Sequence, residues 1–165
     1  MTTELYLLRH ADAGDPLAWE GPDAVRPLTK KGRRQAERLG EFLAVAGFAP
    51  DAIVASPKVR ARETAELVGA ALGRLVTVDE RLAWGPDLGE IEGILEAAGH
   101  PRRVLLVGHD PALSELLGTL VGVAEIPLSE GALARVDVER PEAGGGALRW
   151  LVPPELLRAE RSRER

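Results

Sequence analysis

Short apolar runs alternate along this chain with stretches of helical period. Leu5-Tyr6-Leu7-Leu8, Ala52-Ile53-Val54-Ala55, Leu75-Val76-Thr77-Val78 and Arg103-Val104-Leu105-Leu106-Val107 have the length and composition of strands buried on both faces. Between them, Ala36, Leu39, Phe42, Leu43 and Ala46 recur at spacings of three and four, with Arg33, Arg34, Glu37, Arg38 and Glu41 on the other face. This predicts a helix from Thr29 to a stop at Gly47. Ser56 as cap with Pro57 at the first helical position predicts a second helix running to about Leu72, before Gly73. A third spans Asp87 to Ala98, and Asp110-Pro111 opens a fourth that carries Leu113, Leu116, Leu117 and Leu120 on one side and closes at Gly122. Strand and helix in alternation predict an α/β fold: a three-layer α/β/α sandwich around a mostly parallel sheet. Ala132 to Val138 and Ala147 to Val152, joined across Gly144-Gly145-Gly146, predict an antiparallel hairpin at its C-terminal edge.

The chain of 165 residues fits one domain, placed at 1–154, followed by a charged tail over 155–165 expected to be solvated. Asp12 to Pro27, punctuated by Gly, Pro and Asp, reads as a long loop over the sheet edge, and loops of that length are often functional. No cysteine is present, which excludes disulfides, thiolate catalysis and cysteine-bound zinc. With 21 basic and 26 acidic residues the net charge is −5, which argues against broad nucleic-acid binding. Neither a basic leader nor a long apolar segment precedes the first strand, so the expectation is a cytoplasmic protein without membrane association. Composition leaves the oligomeric state open.

The chemistry gathers where strands end. Arg9-His10 follows the first apolar run and Gly108-His109 a late one. In a doubly wound sheet the carboxyl ends of the strands open on the ligand crevice, so both imidazoles should meet there. Arg60, in the first turn of the second helix, leans back toward the same crevice, whereas Arg62 lies about 200° round the helix and faces Glu66 four residues on. Two helix amino ends, after Ser56 and after Asp110, add positive potential. Imidazoles for nucleophilic or proton chemistry, with guanidiniums as planar anion forks, suit a phosphoryl group.

These residues, in this order, resemble the histidine phosphatase superfamily, the phosphoglycerate mutase-like fold. The resemblance rests on Arg9-His10, Ser56-Pro57-x-x-Arg60-Ala61-x-x-Thr64 and Gly108-His109, and spans roughly residues 4 to 122. Arg26-Pro27-Leu28-Thr29-x-x-Gly32 and the short length are similar to its SixA branch of phosphohistidine phosphatases, while Ala11 stands where many members carry glycine. The resemblance implies a metal-independent phosphatase with no cofactor. In it, His10 attacks phosphorus and is transiently phosphorylated, Arg9 and Arg60 clamp the phosphoryl oxygens, and His109 stabilises the transition state. Arg26 is a further substrate contact or, alternatively, a surface arginine before a proline. Larger members supply a glutamate as general acid. Here Asp12, Glu80, Asp87 and Glu90 are the carboxylates within consideration, and none is an unambiguous equivalent. That favours a good leaving group, as in protein phosphohistidine, over a small phosphomonoester. Two other readings stay open: a metal-dependent hydrolase using His10, Asp12, His109 and Asp110, and a phosphate-binding module without turnover.

Overall fold

Side-chain alternation along the two central strands builds both halves of the core. In the computed structural model, which describes residues 1–158, β1 (Thr3–Arg9) pairs in parallel with β4 (Arg103–Gly108), Leu5 against Val104 and Leu8 against Val107. Successive residues of a strand point to opposite faces. Leu5, Leu7, Val104 and Leu106 therefore join one apolar cluster, and Tyr6, Leu8, Leu105 and Val107 the other. The first cluster is closed by α3 (Leu88–Ala97) and α4 (Ala112–Val121), through Ile91, Ile94, Leu113 and Leu117. The second is closed by α1 (Lys30–Val45) and α2 (Val59–Leu72), through Leu39, Leu43, Ala61, Ala65 and Val68. Each such leucine, fully withdrawn from water, contributes about 1.5–3 kcal/mol of transfer free energy. The result is the predicted sandwich.

With β2 (Ala52–Ala55), β3 (Val76–Val78), β5 (Leu133–Val138) and β6 (Ala147–Val152), the sheet has the order β3-β2-β4-β1-β5-β6. The first four positions are parallel, and β5 and β6 form the antiparallel edge. A mixed sheet of six strands between helices is the fold class expected.

Local chemistry explains most helix ends. Thr29 caps α1, its hydroxyl accepting from the Gly32 amide, and Asp87 and Glu90 close a reciprocal capping box at α3. Gly122 ends α4 at φ 96°, a conformation open mainly to glycine.

Three expectations need correction. The second helix begins at Val59, not at Pro57, because the Ser56 hydroxyl accepts from the Lys58 amide and turns the chain before the helix starts. Likewise α4 starts at Ala112, with Asp110 reaching past the cis Asp110–Pro111 bond to accept from both the amide and the hydroxyl of Ser114. Phe42 and Ala46 of the apolar stripe on α1 are exposed, since they line an open cavity with Phe48 and Trp150 rather than packing into the core. The start of the charged tail is also built in: Pro154–Leu157 forms a 3-10 turn beside α1, and Leu157 packs on the second cluster. Residues 159–165 of that tail lie outside the described residues. Among the described residues no helix is long and apolar enough to cross a membrane.

Candidate active site

His10 is the first residue past β1, and its backbone is fixed from two sides. Its amide donates to the Gly108 carbonyl at 3.0 Å, and the Gly131 amide donates to the His10 carbonyl at 3.0 Å and to that of Arg9 at 3.1 Å. His109 follows β4, the neighbouring parallel strand, so the register of the sheet brings the two imidazoles together with ring centroids 5.3 Å apart. The crevice inferred from the two strand ends is thus present.

The tautomer of His10 is legible in its contacts. Nδ1 lies 2.8 Å from the Ala11 carbonyl, which only accepts, so Nδ1 carries the proton and Nε2 keeps its lone pair. Burial pushes the pKa down to about 4; the Ala11 carbonyl opposes this, while Arg60, Arg9 and Arg26 reinforce it. At neutral pH the ring is therefore uncharged and nucleophilic. His109 is pushed lower still, to about 3, by burial and then by His10, Arg60 and Lys58. Its Nε2 lies 2.7 Å from the Ser56 hydroxyl. That hydroxyl also accepts from the Lys58 amide, so it links the His109 ring to the turn that precedes α2.

The motif residues around the helix start serve this geometry. Thr64 accepts from the Ala11 amide at 3.1 Å and donates to the Arg60 carbonyl at 2.7 Å, tying the chain after His10 to the first turn of α2. Gly32 is required by contact: a Cβ there would sit 2.0 Å from the Asp12 carbonyl oxygen, so α1 can dock on the loop only with glycine.

Three guanidiniums lie close enough to His10 to depress its pKa: those of Arg60, Arg9 and Arg26. Arg60 and Arg26 are buried; Arg60 donates to the backbone and carboxylate of Asp23, and Arg26 to the same carboxylate and to the Ala13 carbonyl. Arg26 is therefore not the surface arginine that its place before Pro27 allowed. Arg9 donates to the Leu128 carbonyl and lies 3.7 Å from Asp110. Three buried nitrogens of this group, Arg9 Nε, Arg60 Nε and His109 Nδ1, have no partner among the described residues. Buried polar groups are paired as a rule, so unpaired nitrogens on three residues of the motif set them apart from the rest of the described core. Arg62 points away and pairs with Glu66 at 3.5 Å, as its place on the helix predicts.

The four carboxylates considered as acids are engaged or remote from this role. Asp12 accepts from the Thr29 hydroxyl, Asp87 and Glu90 cap α3, and Glu80 is exposed on the 3-10 turn Glu80–Ala83. Asp110 binds Ser114, so neither carboxylate of the proposed metal set faces the histidines alone, and among the described residues no three His, Asp or Glu side chains cluster as a metal would need.

Sequence reasoning passed over Asp23, Ser56 as a histidine partner, and the pair Lys58 and Trp84. The Lys58 ammonium lies 4.3 Å from the Trp84 ring centroid; Trp84 is 76 % exposed, and Gly85 beside it packs on Ala112 at the start of α4. An aromatic after Ala83 with no apolar periodicity was the available signal.

The family model described as histidine phosphatase superfamily, branch 1, matches residues 5–100. The chain belongs to the histidine phosphatase superfamily. It is accordingly a phosphatase, a hydrolase of phosphoryl groups. Among curated relatives, phosphohistidine phosphatase SixA of Escherichia coli is 27 % identical over 156 residues, covering 92 % of this chain and 94 % of the relative. An uncharacterized protein of Picosynechococcus is 38 % identical over 115 residues, 68 % of this chain and 69 % of its own. The structure of the protein histidine phosphatase SixA complexed with tungstate superposes with a TM-score of 0.81 at 27 % identity, covering 94 % of this chain and all of the other. The SixA-type branch of the superfamily is thereby supported, with its phosphoglycerate mutase-like fold.

Proposed function

We propose that the protein hydrolyses phosphohistidine on proteins, without a metal, by way of a phosphoryl group carried on His10. The observation that bears most weight is the hydrogen bond from His10 Nδ1 to the Ala11 carbonyl, because it leaves Nε2 unprotonated on a ring 5.3 Å from that of His109 and within the field of Arg60 and Arg9. Nε2 attacks phosphorus in line, the phosphorus–leaving-group bond breaks, and water then attacks the phosphohistidine to release phosphate and restore the imidazole. Arg9 and Arg60 hold the equatorial oxygens through charge-assisted hydrogen bonds from their guanidiniums. The dianion beside His109 raises its pKa toward the range where the ring is cationic and donates to a phosphoryl oxygen. Arg26 contributes charge from behind Asp23.

The leaving group follows from the surroundings. An alkoxide needs a positioned acid, and Asp12, Asp87 and Glu90 are tied to local hydrogen bonds. An imidazole departs more readily, so the engagement of these carboxylates favours a phosphoramidate over an ester. SixA, a relative over nearly its whole length, is named for this substrate and accepts the tetrahedral oxyanion tungstate, which supports the same reading here.

The test is to offer a histidine-phosphorylated protein and a panel of phosphomonoesters, and to quench in alkali. The expected result is an acid-labile phosphoryl group on His10, absent from His10→Ala, with kcat/KM highest for the phosphohistidine protein. Preference for a small phosphomonoester would move the substrate, and phosphate binding with no phosphoenzyme from any donor would leave a binding module.

A further inference from the structure

The pocket already contains an anion of its own. Asp23 opens the 3-10 turn Asp23–Val25 in the loop between β1 and α1, and its carboxylate bridges the two most deeply buried guanidiniums. Oδ1 accepts from Arg26 Nε at 3.1 Å, Oδ2 from Arg60 Nη2 at 3.0 Å, and the Asp23 carbonyl from Arg60 Nη1 at 2.9 Å. The asymmetry between the partners is informative. Side chains of Arg60 and Arg26 are 7 % and 8 % exposed, whereas that of Asp23 is 54 % exposed. The cations are fixed by the fold, and the anion sits at the mouth, on a loop segment with no buried residue in its turn. Burial raises the carboxyl pKa, but the hydrogen bonds and charges of Arg26 and Arg60 outweigh it, so Asp23 stays ionised and has no proton to give a leaving group.

Two oxygens on a planar centre, each accepting from a different guanidinium, mimic two oxygens of a phosphoryl group. We propose that Asp23 is a resident competitor for the phosphoryl site: its carboxylate shares Arg60 and Arg26 with the incoming dianion, lowers the affinity of the pocket for inorganic phosphate, and so speeds product release. This rests on the phosphoryl-binding reading of the pocket given above. A site with three arginines and two histidines and no counter-charge would hold its product tightly. Binding substrate and product alike does nothing for turnover, so a carboxylate that discounts uniform anion affinity raises kcat where release is slow.

The sign of one measurement decides the matter. Asp23→Asn keeps shape and an acceptor but removes the charge; Asp23→Glu keeps the charge. Inorganic phosphate is titrated into the full chain by calorimetry and, in parallel, used as a competitive inhibitor of turnover. Asp23→Asn is expected to bind phosphate about tenfold tighter, with phosphoryl transfer to His10 in a single turnover retained and steady-state kcat reduced. Asp23→Glu is expected to stay near the wild type. Equal or weaker phosphate binding by Asp23→Asn, with the phosphoenzyme still forming on wild-type His10, overturns the inference and leaves Asp23 as a positioning partner of Arg60. Should Asp23→Asn fail to fold, Asp23→Ser reports the same sign. Absence of both phosphate binding and phosphoenzyme in the wild type overturns the functional reading itself.

Discussion

The two ends of β1 differ in how completely their buried polar nitrogens are paired. At its amino end the Glu4 carboxylate accepts from Arg103 Nε at 2.6 Å and from Arg135 Nη2 at 2.7 Å, and Arg135 is further held by Asp137. At its carboxyl end the nitrogens Arg9 Nε, Arg60 Nε and His109 Nδ1 are buried without partners. The cavity beside the amino end is roomy, about 470 Å³, and lined by Tyr6, Phe48 and Trp150. Yet its charges are closed on one another, and nothing there is left to act. Volume alone would select the wrong end of the sheet. Unsatisfied hydrogen-bonding capacity selects the end where phosphate chemistry is possible.

The contrast is testable at both ends. The largest effect is expected from His10→Ala, which removes the nucleophile: hydrolysis should fall by about 10⁴-fold or more, with an unchanged circular dichroism spectrum and melting temperature. Retained turnover would show that the carboxyl end is not the reacting one. Arg60→Ala should reduce kcat/KM by about 10²–10³-fold, measured on the same phosphohistidine substrate. A loss of less than tenfold would remove Arg60 from the clamp.

Acidity reports on the same pocket through stability. In the folded chain His10 and His109 are pushed from the ordinary 6.5 down to about 4 and about 3. On acidification the unfolded chain therefore takes up protons first. The stability is fully present above about pH 6.5 and is lost as the pH falls through about 4 and 3. Within that window each histidine costs about 1.4 kcal/mol per pH unit. Calorimetric melts from pH 7 to 5 should show the fall, and His109→Asn should make it shallower; an unchanged slope would place the titration elsewhere.

At the amino end, Glu4→Gln should cost about 1–3 kcal/mol of stability by leaving Arg103 and Arg135 without their shared carboxylate, and should spare kcat/KM. Chemical denaturation and a rate assay read the two outcomes separately, and a loss of activity without loss of stability would contradict the division between the ends. The smallest effect belongs to Arg62→Ala. Its pairing with Glu66 is exposed, so both stability and rate should stay within about twofold of the wild type.

The parts of this arrangement that the sequence discloses are those set by one-dimensional pattern. Apolar runs located the central strands, and the histidines stood directly after two of them. What it concealed depends on contacts between distant segments. Ser56-Pro57 reads as a helix start, but its hydroxyl is shared with His109, 53 residues on, and the helix waits until Val59. Asp23 sits between Pro22 and Val25 in a loop rich in turn formers, where an aspartate needs no further explanation. Only the fold brings Arg60 to it across 37 residues. Arg26 reads as superficial because it precedes a proline in a long loop, yet it donates to the carbonyls of Ala13 and Gly14 and is buried.

The way His10 is anchored has a consequence for how motion is divided in this molecule. Its peptide groups are stitched to β4 on one flank and to the segment entering β5 on the other, so the attacking nitrogen travels with the sheet as a rigid frame. The loop from Asp12 to Pro27 is held separately, by Arg26 on the Ala13 carbonyl and by Asp23 on Arg60, so what surrounds the nucleophile and what fixes its backbone are set by different segments of the chain.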